Sequence, residues 1–138
     1  MNTSLALAIA AAAAVAAPAR FLVDRWVTNA WTSGRRMTGW SKEPWVLLPA
    51  GLLVVNTVGS LIAGVLLVIG PSGLQTVLLV GFCGAFTTFS GFGWDLARLW
   101  SGARGVFWTF LIAMPAACIA AFQLGWAFGH AVCAECLR

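Results

Sequence analysis

Apolar residues run in four long stretches, at about 4–27, 45–69, 73–99 and 105–130, separated by short segments where glycine, serine, proline and basic residues collect. A helix of ~20 mostly apolar residues crosses the ~30 Å hydrocarbon core of a bilayer, so each stretch is long enough to span one. The pattern predicts an all-α membrane protein of four transmembrane helices, a single four-helix domain over 1–138. The sizeable connection is 28–44, while the link after Gly70 is a Pro-Ser-Gly turn and that at Ser101-Gly102 is equally tight. Short links between spans imply an up-down hairpin arrangement.

The third stretch carries an irregularity. Residues 81–92 read Gly-Phe-Cys-Gly-Ala-Phe-Thr-Thr-Phe-Ser-Gly-Phe, with glycines, adjacent hydroxyls and spaced phenylalanines inside an otherwise apolar run. Unwound backbone at membrane depth survives only where it is buried in protein or lines a polar cavity. The run therefore predicts a third helix broken in mid-membrane and marks a candidate site.

Spacing within the other helices points inward as well. Asn56, Gly59, Ser60, Ala63 and Gly64 fall on one small, polar stripe of the second helix. In the fourth helix Thr109, Ala113, Ala116 and Ala120 make a similar stripe, and Pro115 predicts a kink. Such stripes let membrane helices pack closely. An amide at mid-membrane depth is costly unless satisfied, so Asn56 marks either an ion path or a bond between helices. Arg20 is placed near the end of its helix, where it can snorkel, and Asp24 and Arg25 read as solvated residues at that end. The tryptophans, among them Trp26, Trp31, Trp45, Trp100, Trp108 and Trp126, stand where an aromatic belt meets the headgroups.

Composition agrees with this picture, since 61% of residues are hydrophobic, 9% are charged and the mean hydropathy is +0.92. Soluble domains carry roughly 25% charged residues. The apolar start, ending Val-Ala-Ala-Pro-Ala, lacks the basic residues of a secretory signal and reads as an uncleaved first helix. A single histidine leaves no nucleophile and base pair, which argues against an enzyme. The net charge of +4 fits anionic headgroups and topology rather than nucleic acid. His130, Cys133 and Cys136 form a C-terminal His-x-x-Cys-x-x-Cys, read as a frayed tail, a disulfide or an incomplete zinc site.

Residues 81–92 closely resemble the third-helix signature of the Fluc (CrcB-type) fluoride channels, usually Gly-x-x-Gly-Gly-x-Thr-Thr-Phe-Ser-Thr-Phe. Gly51-Leu-Leu-Val-Val-Asn56-Thr-Val-Gly59-Ser60 is similar to that family's second-helix pattern, and Ala16-Ala-Pro-Ala-Arg20-Phe to its first-helix Gly-Ala-x-x-Arg-Tyr. The resemblance implies a fluoride-selective channel of the cell membrane that exports fluoride and relieves its toxicity. It implies an antiparallel, dual-topology dimer with pores along the subunit interface. Asn56, Thr88 and Ser90 would then be neutral pore donors, Phe89 and Phe92 the pore phenylalanines, and Arg20 a structural residue. The backbone carbonyls of Gly84 and Thr87 would hold a central sodium ion. Neutral donors suit a small, strongly hydrated anion that a fixed positive charge would trap.

Departures from the pattern are Ala16, Ala85 and Gly91, together with a fourth helix that offers only Thr109, Cys118 and Gln123 in place of a pore serine. Arg35, Arg36 and Lys42 lie in the first loop and Arg98 and Arg104 around the third, which places both loops in the cytoplasm. That bias favours one half of a heterodimer with an oppositely inserted homologue over a homodimer. A small multidrug-type exporter, which needs a carboxylate in mid-span, and a structural subunit with no pore are the alternatives.

Overall fold

The computed structural model describes residues 2–37, 44–69 and 72–136. Its elements are helical throughout: α1 (Thr3–Met37), a 3-10 turn (Pro44–Leu47), α2 (Ala50–Ile69), α3 (Ser72–Thr76), a π-helix (Val77–Cys83), α4 (Gly84–Phe86), α5 (Phe89–Gly102) and α6 (Arg104–Cys136). Four helical stretches, Thr3–Ser33, Ala50–Val68, Gly73–Gly102 and Arg104–Ala134, are long and apolar enough to cross a membrane. The chain is a multi-pass membrane protein. Lys42, the Gly70-Pro71 end of the second link and Arg138 lie outside the described residues.

The helix boundaries differ from the sequence expectation. At 35 residues, α1 continues through most of the segment read as the first loop, and at 1.5 Å per residue it reaches roughly 50 Å, well beyond the hydrocarbon thickness. Thr, Asn, Ser and basic residues there are compatible with a helix once it leaves the bilayer. Arg20 is consequently the midpoint of α1 rather than near its end, and Asp24 and Arg25 lie about three turns before its C-terminus. The second helix starts at Ala50 instead of 45, because Pro44–Leu47 forms a separate 3-10 turn. The fourth helix runs to Cys136, so the expected frayed tail is helical, and it passes through Pro115 without interruption of the assigned helix.

The hairpins are closed by side chains as well as turns. Gln75 Nε2 donates to the carbonyls of Leu66 (3.1 Å) and Leu67 (2.8 Å), satisfying acceptors that the last turn of α2 leaves open. Ala103 alone separates α5 from α6; its N–H donates to the Leu99 carbonyl at 2.8 Å. Beside it the Arg104 guanidinium lies 4.9 Å from the Trp100 ring centre, a cation–π pairing suited to an interfacial tryptophan.

The most extensive helix contact is between α2 and α6. At one end it is a cluster of large side chains, with Leu52, Phe92, Leu99, Val106, Phe110 and Met114 buried together. At the other end glycine replaces bulk: a Cβ at Gly64 would meet the Phe122 carbonyl oxygen, and one at Gly125 the Leu61 carbonyl oxygen. Close backbone approach of this kind is how membrane helices gain packing energy without a hydrophobic driving force. The buried face of α6 is therefore Phe110, Met114, Ala121, Gly125 and Gly129, and the predicted stripe of Thr109, Ala113, Ala116 and Ala120 is exposed on this subunit. Small size signals a close approach but does not say which partner makes it.

Candidate functional site in the broken helix

The third span changes character twice. Between Val77 and Cys83 it is a π-helix, and the Gly84 N–H reaches the carbonyls of Leu79 and Gly81. This segment lies against α1, where a Cβ on Gly81 would sit 2.7 Å from the Ile9 carbonyl oxygen and 2.9 Å from Ala12 Cβ. Gly84 is right-handed helical, at φ −64° and ψ −33°. The chain then unwinds at Thr87 (φ −85°, ψ 159°) and Thr88 (φ −149°, ψ 127°) before α5 begins. The break thus belongs to the threonines, not to the glycines. Extended backbone of this sort is open to any residue and favoured by β-branched ones, so Ala85 in place of glycine does not close it.

Local side-chain bonds stabilise the unwound pair. Thr87 donates its hydroxyl and its N–H to the Cys83 carbonyl, at 2.9 and 3.0 Å, which finishes α4. Thr88 caps α5: its Oγ1 accepts the Gly91 N–H at 3.2 Å, the third-residue donor of an ordinary N-cap. Its hydroxyl also lies 3.2 Å from Ser90 Oγ.

Asn56 reaches the break from α2. Its Oδ1 accepts the Thr88 N–H at 2.7 Å and its Nδ2 donates to the Thr88 carbonyl at 3.1 Å, so one amide side chain pairs with both backbone groups of one residue. At 4% exposure the amide is buried. The second Nδ2 hydrogen has only Met114 Sδ nearby, 3.9 Å away and a weak acceptor. Both readings of Asn56 from the sequence therefore remain physically compatible: it bonds another span, and it keeps one donor hydrogen poorly satisfied.

A pocket of ≈ 280 Å³ opens beside this constellation, lined by Asn56, Ser60, Thr87, Thr88, Phe89, Phe92, Met114, Pro115 and Cys118. None of these is charged. Five of the residues selected from the sequence, Asn56, Thr87, Thr88, Phe89 and Phe92, converge on it. Ser90 does not line it and connects through the Thr88 hydroxyl. Gly84 lies one turn before the break and is exposed, and Arg20 lines neither described pocket. The two phenylalanines, with ring centres 5.9 Å apart, have different surroundings: Phe92 is 6% exposed and tilts on Phe110 at 5.4 Å, whereas Phe89 is 83% exposed.

Met114 and Cys118 of α6 were not among the selected pore residues. They follow Phe110 at four and eight residues along the same helix face, and that repeat was the available signal. Cys118 stands in the pocket where the fourth helix had no obvious serine.

A second pocket, ≈ 370 Å³, lies at the other end of α5 and is lined by Asp24, Thr28, Thr32, residues 46–49, Asp95 and Arg98. Arg98 pairs with Asp95 at 3.1 Å, and Thr28 Oγ1 donates to Asp24 Oδ1 at 3.4 Å. Asp24 thus sits within α1 rather than at its end, on a pocket it shares with Asp95 and Arg98. At the C-terminal end, His130 stacks edge-on against Trp126 with ring centres 4.4 Å apart, and Cys133 is a free thiol. Among the described residues no three metal-ligating side chains gather.

The chain is 43% identical over 84 residues to the fluoride-specific ion channel FluC 1 of Nocardia farcinica, a match covering 60% of this chain and 50% of that protein. It is 35% identical over 92 residues to the fluoride-specific ion channel FluC of Legionella pneumophila, covering 62% and 59% respectively. A shorter match, 47% identical over 53 residues, covers 38% of this chain and 44% of the fluoride-specific ion channel FluC 2 of Haloarcula marismortui. The chain thus aligns with about half of the length of these relatives. The family model described as CrcB-like protein, Camphor Resistance (CrcB), matches residues 7–127, from the first turns of α1 through most of α6. With four spans and the broken third helix inside that match, the chain belongs to the CrcB family.

Proposed function

We propose that the chain is a fluoride-selective channel subunit of the cell membrane, which lets fluoride leave the cell and so relieves its toxicity. The observation that carries the reading is the uncharged pocket at the break, where the Asn56 amide and the Thr88 and Ser90 hydroxyls keep donor hydrogens to offer an anion. One Asn56 N–H faces only a thioether, and the Thr88–Ser90 contact uses one of the two hydroxyl hydrogens. Fluoride must exchange its water for such donors, and a neutral lining avoids trapping it. Phenylalanine ring edges add a weakly positive surface. The relatives named as fluoride-specific ion channels support the same substrate.

The working unit in this reading is a dimer of oppositely oriented subunits. Phe89 and the exposed small stripe of α6 are surfaces that a second subunit would cover, completing a pore at the interface. The basic residues of the first and third loops favour a homologous partner over a second copy. Gly84 and Thr87 suit a sodium ion at the dimer centre, because their carbonyls lose the N–H donors of a continuous helix to Asn56 and to Thr88 Oγ1. A bound hard cation would supply a shared centre for those oxygens without any carboxylate. Arg20, at the middle of α1, is assigned a structural role. The exporter alternative is less well supported, since Asp95 is paired with Arg98.

Fluoride efflux from liposomes tests the reading. Efflux from vesicles holding this chain with its homologous partner, absent for chloride, is the expected result; no efflux from either the pair or the chain alone would leave a structural subunit.

A further inference from the structure

We propose that Asn56 and Thr88 are positioning residues that bare the Gly84 and Thr87 carbonyl oxygens for a hard cation. The inference rests on the reading of those two carbonyls as sodium ligands and adds the device that makes them so. In a continuous α-helix the Gly84 carbonyl accepts the N–H of Thr88, and the Thr87 carbonyl accepts that of Gly91. Both donors are diverted to side chains. The Thr88 N–H goes to Asn56 Oδ1 at 2.7 Å, and the Gly91 N–H to Thr88 Oγ1 at 3.2 Å. Among the carbonyls that the break leaves open, these two are the ones whose donors are held elsewhere by side-chain acceptors, one on α2 and one at the break itself.

The arrangement is held rather than incidental. Asn56 returns a bond from Nδ2 to the Thr88 carbonyl at 3.1 Å, so Thr88 is clamped at both backbone groups by a side chain with 4% exposure. Releasing the clamp would leave a buried amide unsatisfied. The least costly repair is for Thr88 N–H to return to Gly84, which lengthens α4 and removes a cation ligand. In this role Asn56 links the two ionic functions: the amide beside the anion pocket also sets the geometry of the cation site.

The test is a sodium titration of the purified full-length protein, assembled with its partner where needed, against an organic cation at constant ionic strength, with thermal unfolding as the readout. Asn56→Ala is expected to raise the sodium concentration for half-maximal stabilisation by about tenfold, which corresponds to about 1.4 kcal/mol. Asn56→Asp keeps an oxygen acceptor for the Thr88 N–H and should need no more sodium than the wild type. Should Asn56→Ala fail to fold, Thr88→Val removes the Gly91 acceptor with little change of shape and should show the same rise, with Thr88→Ser restoring the wild-type response. A sodium-dependent wild type whose variants all titrate alike would overturn the positioning role alone. A wild type indifferent to sodium would overturn the cation reading itself, and this inference with it.

Discussion

Gly59 of α2 faces the Cγ2 methyl of Thr87 so closely that a Cβ at position 59 would overlap it, with Phe86 Cδ1 next at 3.3 Å. The glycine lets the second helix lie directly against the unwound turn, three residues from the amide that clamps Thr88. Gly59→Ala is expected to destabilise the protein by about 1–3 kcal/mol, the usual range for overpacking. Thr87→Ser removes that methyl while keeping the hydroxyl bond to Cys83 and should recover most of the loss. A double-mutant cycle on thermal unfolding checks it, and simple additivity of the two changes would show that the contact is not tight.

Asn56→Asp should reduce fluoride flux strongly while the protein still assembles. Either protonation state keeps an acceptor for the Thr88 N–H, but an ionised carboxylate would repel the anion and a neutral one lacks the second amide hydrogen. Fluoride-electrode recordings from liposomes provide the measurement; wild-type flux in a normally assembled variant would reduce Asn56 to a structural clamp.

The crossing of α2 and α6 makes a prediction about stability independent of transport. Gly125→Ala pushes a methyl into the Leu61 carbonyl, a backbone atom that cannot rotate away. A loss of about 1–3 kcal/mol is expected. Gly105→Ala, in the first turn of α6 with nothing within 4 Å of its added Cβ, is the matched control and should be near neutral. Thermal unfolding in detergent distinguishes the two.

Orientation can be read by labelling. With the native cysteines replaced, a cysteine at the exposed Ser101 should react only from the cytoplasmic side and one at the exposed Gly73 only from outside. The expectation follows from Arg35, Arg36, Lys42, Arg98 and Arg104. Equal reaction of both positions from both sides would instead restore a dual-topology homodimer.

Four apolar stretches and tight Pro/Gly links settled the number of spans and their order, because backbone desolvation in lipid leaves few alternatives. The Phe-Thr-Thr-Phe run likewise announced a break, since hydroxyls on β-branched residues can replace helical bonds locally. Neither the length of α1 nor the place of Arg20 at its middle was legible, because polar residues beyond the bilayer are as compatible with a helix as with a loop. Which face of α6 packs within the subunit was not legible for a related reason: Thr109, Ala113, Ala116 and Ala120 are small, but the close contacts within this subunit fall on Gly125 and Gly129. Only the tertiary structure decided that Asn56 spends its amide on Thr88, that Cys118 enters the pocket and that Gln75 closes α2. Each depends on which atoms of another helix come within hydrogen-bonding or packing distance, and periodicity along one helix carries no information about that separation.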